Sequence, residues 1–340
     1  MEEVSQSRPL VRILRFWKYP DILRQTPGGR GVWRDIEFIL DEPGEADYVL
    51  IHGHAPRLVS ARCPRENVWL VLGEPPNEMY QRWNKLPGWA ARCYTTDAGS
   101  ISNRHHLSFA ALPWHVDRDY DFLTRCPPPP KSRQLSWISS DRAETAGHQK
   151  RLDYLSRIRS FGDLELFGRG FKPIADKWDG LAPYRYSIAF ENFSNAHYWT
   201  EKLTDCFLAW TMPVYFGCTE LEKFFPRESF IRLDPGSADP VRELREIIAS
   251  DRREKNLDAI QQARQLVLGK YNFFEFIAGE IEKDQAARGG EYSRPEEIAI
   301  DDHTLTPWQR VKGSVRRRLP VVLQRAYAAG RQRRKKVGSR

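Results

Sequence analysis

The stretch from Tyr184 to Glu220, YRYSIAFENFSNAHYWTEKLTDCFLAWTMPVYFGCTE, constrains the fold more than any other part of the chain. An apolar run from Tyr186 to Phe190 reads as a strand and stops at Glu191-Asn192. A polar loop follows, and Thr200-Glu201-Lys202 opens a helical pattern in which Leu203, Cys206, Phe207 and Trp210 share one face at i, i+3, i+4 and i+7. Pro213 ends that helix, and Pro213 to Phe216 reads as the next strand, stopped by Gly217. Strand, helix and strand in this order form the βαβ unit of a parallel sheet, so the chain belongs to the α/β class.

Ligands of such sheets sit beyond the carboxyl ends of the strands, where the free N–H groups of a helix start point outward. The residues due at that corner are Asn192, Tyr198, Glu201 and Lys202. An ammonium beside a helix N-terminus suits a pyrophosphate, and a carboxylate suits ribose or sugar hydroxyls. The corner therefore reads as a nucleotide-sugar or dinucleotide site. The competing reading is that Glu201 and Lys202 are ordinary first-turn charges on a solvated helix.

Phe190-Glu191-Asn192, then Tyr198-x-Thr200-Glu201-Lys202-Leu203, then Met212-Pro213-Val214-Tyr215-Phe216-Gly217 resembles the donor-binding signature of the α-1,3-fucosyltransferases, glycosyltransferase family 10, of bacterial type. The resemblance is closest from Gln134 to Leu233. It implies the GT-B arrangement: two Rossmann-like α/β domains facing across a cleft, here with a basic C-terminal helical tail. It also implies transfer of L-fucose from GDP-fucose to a glycan hydroxyl, by a single inverting displacement without metal or cofactor. An α-1,3 link to an N-acetylglucosamine or glucose unit of an oligosaccharide or lipid-linked glycan is the expected product. A related transferase using another nucleotide sugar is the alternative within this class. A non-catalytic basic adaptor for membrane or nucleic acid is the alternative outside it.

In the first half, Leu10 to Phe16, Ile36 to Leu40, Tyr48 to His52 and Val68 to Leu72 read as strands. The last runs into Gly73-Glu74-Pro75-Pro76-Asn77, which sets a carboxylate at the ligand edge of a sheet. An inverting transferase needs one carboxylate to take the acceptor's proton, and the family carries a Glu near a Pro here, so Glu74 is the expected base. Glu78 is its local rival. His52-Gly53-His54 has the spacing of a metal pair but no evident third ligand, so it reads as loop or acceptor-site residues. Asp117-Arg118-Asp119-Tyr120-Asp121 contains D-x-D twice without a preceding apolar strand and reads as surface charge.

Cys126 to Arg133, CPPPPKSR, is a semi-rigid extended connector. It divides an acceptor-binding domain, 1–126, from a donor-binding domain, 134–290, with the linker at 127–133 and a basic amphipathic tail at 291–340. In the second domain, Arg151 matches the family's helical Arg that contacts the donor pyrophosphate; Arg157 and Arg159 are the neighbouring candidates. Gly168-Arg169-Gly170 resembles the family's basic turn near the nucleotide, which makes Arg169 a candidate phosphate ligand. Glu191 is a further candidate within the signature. Val241 to Ser250, Arg253 to Leu268 and Asn272 to Ala287 read as helices, and the last is a candidate to cross back to the first domain, by analogy with other two-domain transferases.

The net charge of +8 is a property of the tail. Twelve of the 53 lysines and arginines, and none of the 45 acidic residues, lie in 306–340, so the remainder is net negative by four. Apolar residues spaced along this basic segment suit an anionic membrane interface, which is the expected partner, rather than nucleic acid. Five widely spaced cysteines, and an N-terminus without an apolar signal core, point to a cytoplasmic protein, peripheral on the inner face of the membrane. An acceptor bound for a surface glycan would be presented there.

Overall fold

A computed structural model describes residues 8–15, 17, 21–42, 44–55, 58–302 and 304. The basic segment 306–340, and with it the expected membrane contact, lies outside the described residues. The described residues up to Asp301 form one compact unit.

The first half builds a seven-stranded sheet from β1 (Leu10–Arg15), β2 (Val32–Trp33), β3 (Ile36–Leu40), β4 (Tyr48–His52), β6 (Val68–Val71), β7 (Arg92–Thr95) and β8 (His105–Leu107). Their order is β2-β3-β1-β4-β6-β7-β8, parallel except for β2 against β3. Central strands β4 and β6 are buried at every residue, as a sheet covered on both faces requires. The register Ile13↔Leu50 and Leu50↔Trp69 places Trp69 in the core. Strands β2, β7 and β8 are short and lack an apolar period, so the sequence does not announce them.

The helix α1 (Tyr120–Arg125) leads to the Pro-rich connector. The second half then forms a five-stranded parallel sheet from β9 (Arg133–Ile138), β10 (Leu164–Phe167), β11 (Tyr184–Phe190), β12 (Met212–Phe216) and β13 (Ile231–Arg232), ordered β10-β9-β11-β12-β13. Its helices are α2 (Ala146–Ile158), α3 (Glu201–Leu208), α4 (Pro240–Ala249), α5 (Arg252–Lys255), α6 (Leu257–Leu268) and α7 (Phe273–Arg288). The expected βαβ unit is present as β11-α3-β12, with Ile188 beside Val214. The expected single helix from Arg253 to Leu268 is instead broken at Asn256, whose side-chain amide donates to the Arg252 carbonyl at 2.7 Å.

Both sheets have a switch point, where successive connections leave a strand pair in opposite directions: between β1 and β4 in the first, and between β9 and β11 in the second. Crevices for ligands open at such points.

Two pieces from the end of the unit pack with the first half, a helix on its sheet and a strand in a separate two-stranded sheet. Helix α7 packs Phe274 edge-on against Phe38 at 5.0 Å, and its Glu275 accepts from the Trp33 indole at 2.6 Å. Its fully buried Asp284 accepts from Arg92 and, at 2.9 Å, from Arg288. The late helix thus returns to the first half. Strand β14 (Glu296–Ile300) pairs antiparallel with β5 (Val59–Cys63), with Ile298 opposite Ala61 and Ile300 opposite Val59. This corrects the boundary at 291: the first ten residues assigned to the basic tail include a strand. Its alternation is too short to register as a period, and it is stable only because β5 offers an open edge to pair with.

Candidate active site

The carboxyl edges of both sheets converge on a cleft of about 340 Å³. From the first half come Arg15 at the end of β1, His52 at the end of β4, and Glu74, Asn77 and Tyr80 after β6. From the second come Arg142 after β9, His148 in the first turn of α2, Asn192 after β11, and Tyr198, Thr200, Glu201 and Lys202 at the start of α3.

Local chemistry places the α3 corner. Thr200 caps the helix, its hydroxyl accepting from the Lys202 N–H at 3.3 Å. Glu191, wholly buried, accepts from the Thr200 N–H at 2.8 Å and the Thr200 hydroxyl at 2.9 Å, tying the end of β11 to the helix start. Lys202 Nζ lies 3.4 Å from Glu191 and 3.6 Å from Glu201. Burial alone would lower the Lys202 ammonium, but these two carboxylates hold it above the ordinary lysine value. Burial would likewise raise Glu201; Lys202, Lys177 and His115 outweigh it and keep that carboxyl far below the usual range. Burial, reinforced by the surrounding carboxylates, pushes the Tyr198 hydroxyl well above an ordinary tyrosine, so it stays protonated and able to donate.

Close approach of α2 depends on one glycine. A Cβ on Gly147 would stand 1.7 Å from the Asn192 carbonyl oxygen, so no side chain fits where the helix start meets the loop after β11.

The carboxylates of the Glu74 loop separate cleanly. Burial pushes Glu74 up to about 7, against the pull of Lys202 and Arg142. Two main-chain N–H groups, those of Met79 and Tyr80, donate to the Asn77 side chain at 3.0 and 3.1 Å and hold the loop in place. Glu78 does not line the cleft. It is exposed, accepts from the Ala146 N–H at 3.1 Å, and is kept below the ordinary range by main-chain N–H groups, its own first. It therefore caps α2 from the opposite half and is poorly suited to be a base.

Arg151 and Arg169 stand elsewhere than expected. Arg151 is buried behind the cleft wall, donating to Asn192 Oδ1 at 2.7 Å and to the carbonyls of Ser140 and Arg142 at 2.9 and 3.0 Å. It shapes the loop that carries Arg142 and holds Asn192, and it does not itself line the cleft. Arg169 is on an exposed turn, 3.6 Å from Asp141, and is not a lining residue either. The cations of the cleft from this half are Arg142 and Lys202. Arg142 and His148 follow β9 directly, so strand order alone could have singled them out.

His52 and His54 do not act as a pair. Burial, with Arg15 nearby, lowers His52 to about 4, while His54 packs edge-on against Trp83 at 4.8 Å. The aspartates of the D-x-D run are structural: Asp117 pairs with Arg24, Asp119 caps α1, and Asp121 accepts from the Gly28 N–H at 3.0 Å.

Residues 128–253 match the family model described as glycosyltransferase family 10 (fucosyltransferase) C-term. The chain is 33% identical over 116 residues to bovine (Bos taurus) alpha-(1,3)-fucosyltransferase 4, covering 31% of this chain and 28% of that one. It is 29% identical over 256 residues to the human (Homo sapiens) 3-galactosyl-N-acetylglucosaminide 4-alpha-L-fucosyltransferase FUT3, covering 68% and 67%. It thus spans about two thirds of the human relative's length but less than a third of the bovine one. A crystal structure of an alpha1,3-fucosyltransferase with GDP is similar over 78% of this chain and 84% of that one, at 15% identity and a TM-score of 0.46. The family match thus lies in residues 128–253, which carry the α3 corner of the cleft.

Proposed function

We propose that the protein transfers L-fucose from GDP-fucose to a glycan hydroxyl with inversion, forming an α-1,3 link to an N-acetylglucosamine or glucose unit. One observation carries this reading: a carboxyl held near neutrality, Glu74, and a cation at a helix start, Lys202, line one cleft from the edges of two different sheets. A base and a leaving-group clamp on opposite walls are what a single displacement needs.

In this mechanism Glu74 takes the proton of the acceptor hydroxyl as its oxygen attacks the anomeric carbon of fucose. The bond from that carbon to the diphosphate breaks on the opposite face, and GDP leaves. Lys202 and Arg142 meet the charge gathering on the diphosphate, which is greatest in the transition state and so is where fixed cations accelerate most. Glu201 receives ribose or sugar hydroxyls, and Asn192 and Tyr198 line the donor pocket. Arg151 acts through Asn192 and the Arg142 loop.

The decisive experiment incubates the protein with a panel of nucleotide sugars and a glycan acceptor, with and without EDTA, and measures released nucleotide. GDP release from GDP-fucose alone, unchanged by EDTA, is the expected result. Release from a different sugar nucleotide would move the donor assignment, and loss with EDTA would overturn the metal-free clamp. The same reading makes 306–340 an anchor to anionic lipid at the cytoplasmic face of the membrane, supported by its composition.

A further inference from the structure

Glu201 is reached by a residue that no motif points to. Lys177 lies in the turn 177–180 between β10 and β11 and is not a lining residue of the cleft. Its Nζ is 3.0 Å from Asp205 Oδ2, 3.4 Å from Glu201 Oε1 and 3.4 Å from His115 Nδ1. Asp205, almost fully buried one turn along α3, uses its other oxygen to accept from the main-chain N–H groups of His115 and Val116, at 2.8 and 3.4 Å. Those residues belong to the segment by which the first half leaves its sheet. Lys202 at 3.6 Å and the His115 ring at 3.7 Å approach the same Glu201 oxygen as Lys177 does.

A glutamate in the first turn of a helix is otherwise free to swing, and ordering such a side chain costs rotamer entropy. Three groups gathered on one oxygen remove that freedom before any ligand arrives. Asp205, held by two N–H groups, is the fixed point against which Lys177 can pull.

We propose that Lys177 is a positioning residue for the donor: from behind the cleft wall its ammonium bridges Asp205 and Glu201 and holds the Glu201 carboxylate in the one orientation that receives the nucleotide's ribose hydroxyls. The inference rests on the reading of Glu201 as a hydroxyl ligand. Preorganisation of this kind raises affinity by removing an ordering penalty, without any contact between Lys177 and the ligand.

The test is a double-mutant cycle read as GDP affinity by titration calorimetry on the full chain, with Lys177→Met, Glu201→Gln and the pair. Each single variant is expected to weaken GDP about tenfold, the loss of one charge-assisted hydrogen bond. The double variant should be no weaker than Glu201→Gln alone, and Lys177→Arg should recover most of the affinity. Additive losses would overturn the proposal, since Lys177 would then act by another route. Unchanged affinity in Glu201→Gln would instead overturn the role given to Glu201. Should Lys177→Met fail to fold because Asp205 is left as an unpaired buried charge, Lys177→Met/Asp205→Asn keeps the acceptor for the His115 N–H and removes the charge. GDP affinity near wild type in that variant would equally refute the proposal.

Discussion

Replacing Glu74 by Gln should abolish transfer and stabilise the protein at the same time. Desolvation dominates the Glu74 environment and raises its pKa from the ordinary value to about 7. A carboxyl protonated more readily in the folded state than in the unfolded one lends stability below the unfolded pKa and loses it as pH rises through the folded one. Between about pH 4.5 and 7 the wild type therefore loses stability, by up to about 3 kcal/mol at 1.36 kcal/mol per pKa unit. The Gln variant has no charge to desolvate and should lose none of it. Because the amide also needs partners, a gain of about 1–3 kcal/mol at pH 8 is expected, or several degrees in Tm, and almost none at pH 4.5. Transfer should fall by a factor of about 10² to 10⁴, the usual contribution of a general base, while GDP binding stays close to wild type. In the wild type, kcat/KM should decline below about pH 7 as Glu74 takes up its proton. Thermal melts at the two pH values, calorimetry with GDP, and transfer rates together decide the matter. Near-normal transfer would refute Glu74 as base, and an equal Tm change at both pH values would refute the burial argument.

Three other outcomes follow from the geometry. Gly147→Ala should push the start of α2 off the Asn192 carbonyl and weaken GDP binding by tenfold or more, with a stability loss of about 1–3 kcal/mol, both visible in the same calorimetry and melts. Lys131, just past the proline run, donates to Ala182 O, Ala209 O and Thr211 Oγ1 at 2.7, 2.8 and 3.0 Å; Lys131→Met should destabilise by about 2–4 kcal/mol in denaturant melts without changing the pH profile of transfer. Deleting 306–340 should leave turnover on a soluble acceptor intact and abolish binding to vesicles containing phosphatidylserine; loss of turnover would refute the reading of this segment as an anchor alone.

Local signals carried much of this site. The β11-α3-β12 unit shows its period in a single window, and its corner brings Asn192, Tyr198, Glu201 and Lys202 to the cleft because a parallel strand must deliver its loop to the carboxyl edge. Glu74 is legible for the same reason, as the residue following a buried strand. Arg151 and Arg169 were legible as motif residues but not as to direction. Whether a guanidinium faces the cleft or the wall depends on which carbonyls the neighbouring loops present, here those of Ser140 and Arg142.

The amino-acid order by itself determined the class of the chain, the pairing of strand and helix around residue 200, and the concentration of charge in the last 35 residues, because each is encoded within a few turns of chain. Only the tertiary structure decided that α7 packs on the first sheet and β14 pairs with β5, that Glu78 of the first half caps α2, and that Lys177 reaches Glu201. Those contacts join residues 24 to more than 200 positions apart, and no local period records them: an open strand edge, an orphan helix N–H or a buried carboxylate is satisfied by whatever the completed fold brings beside it.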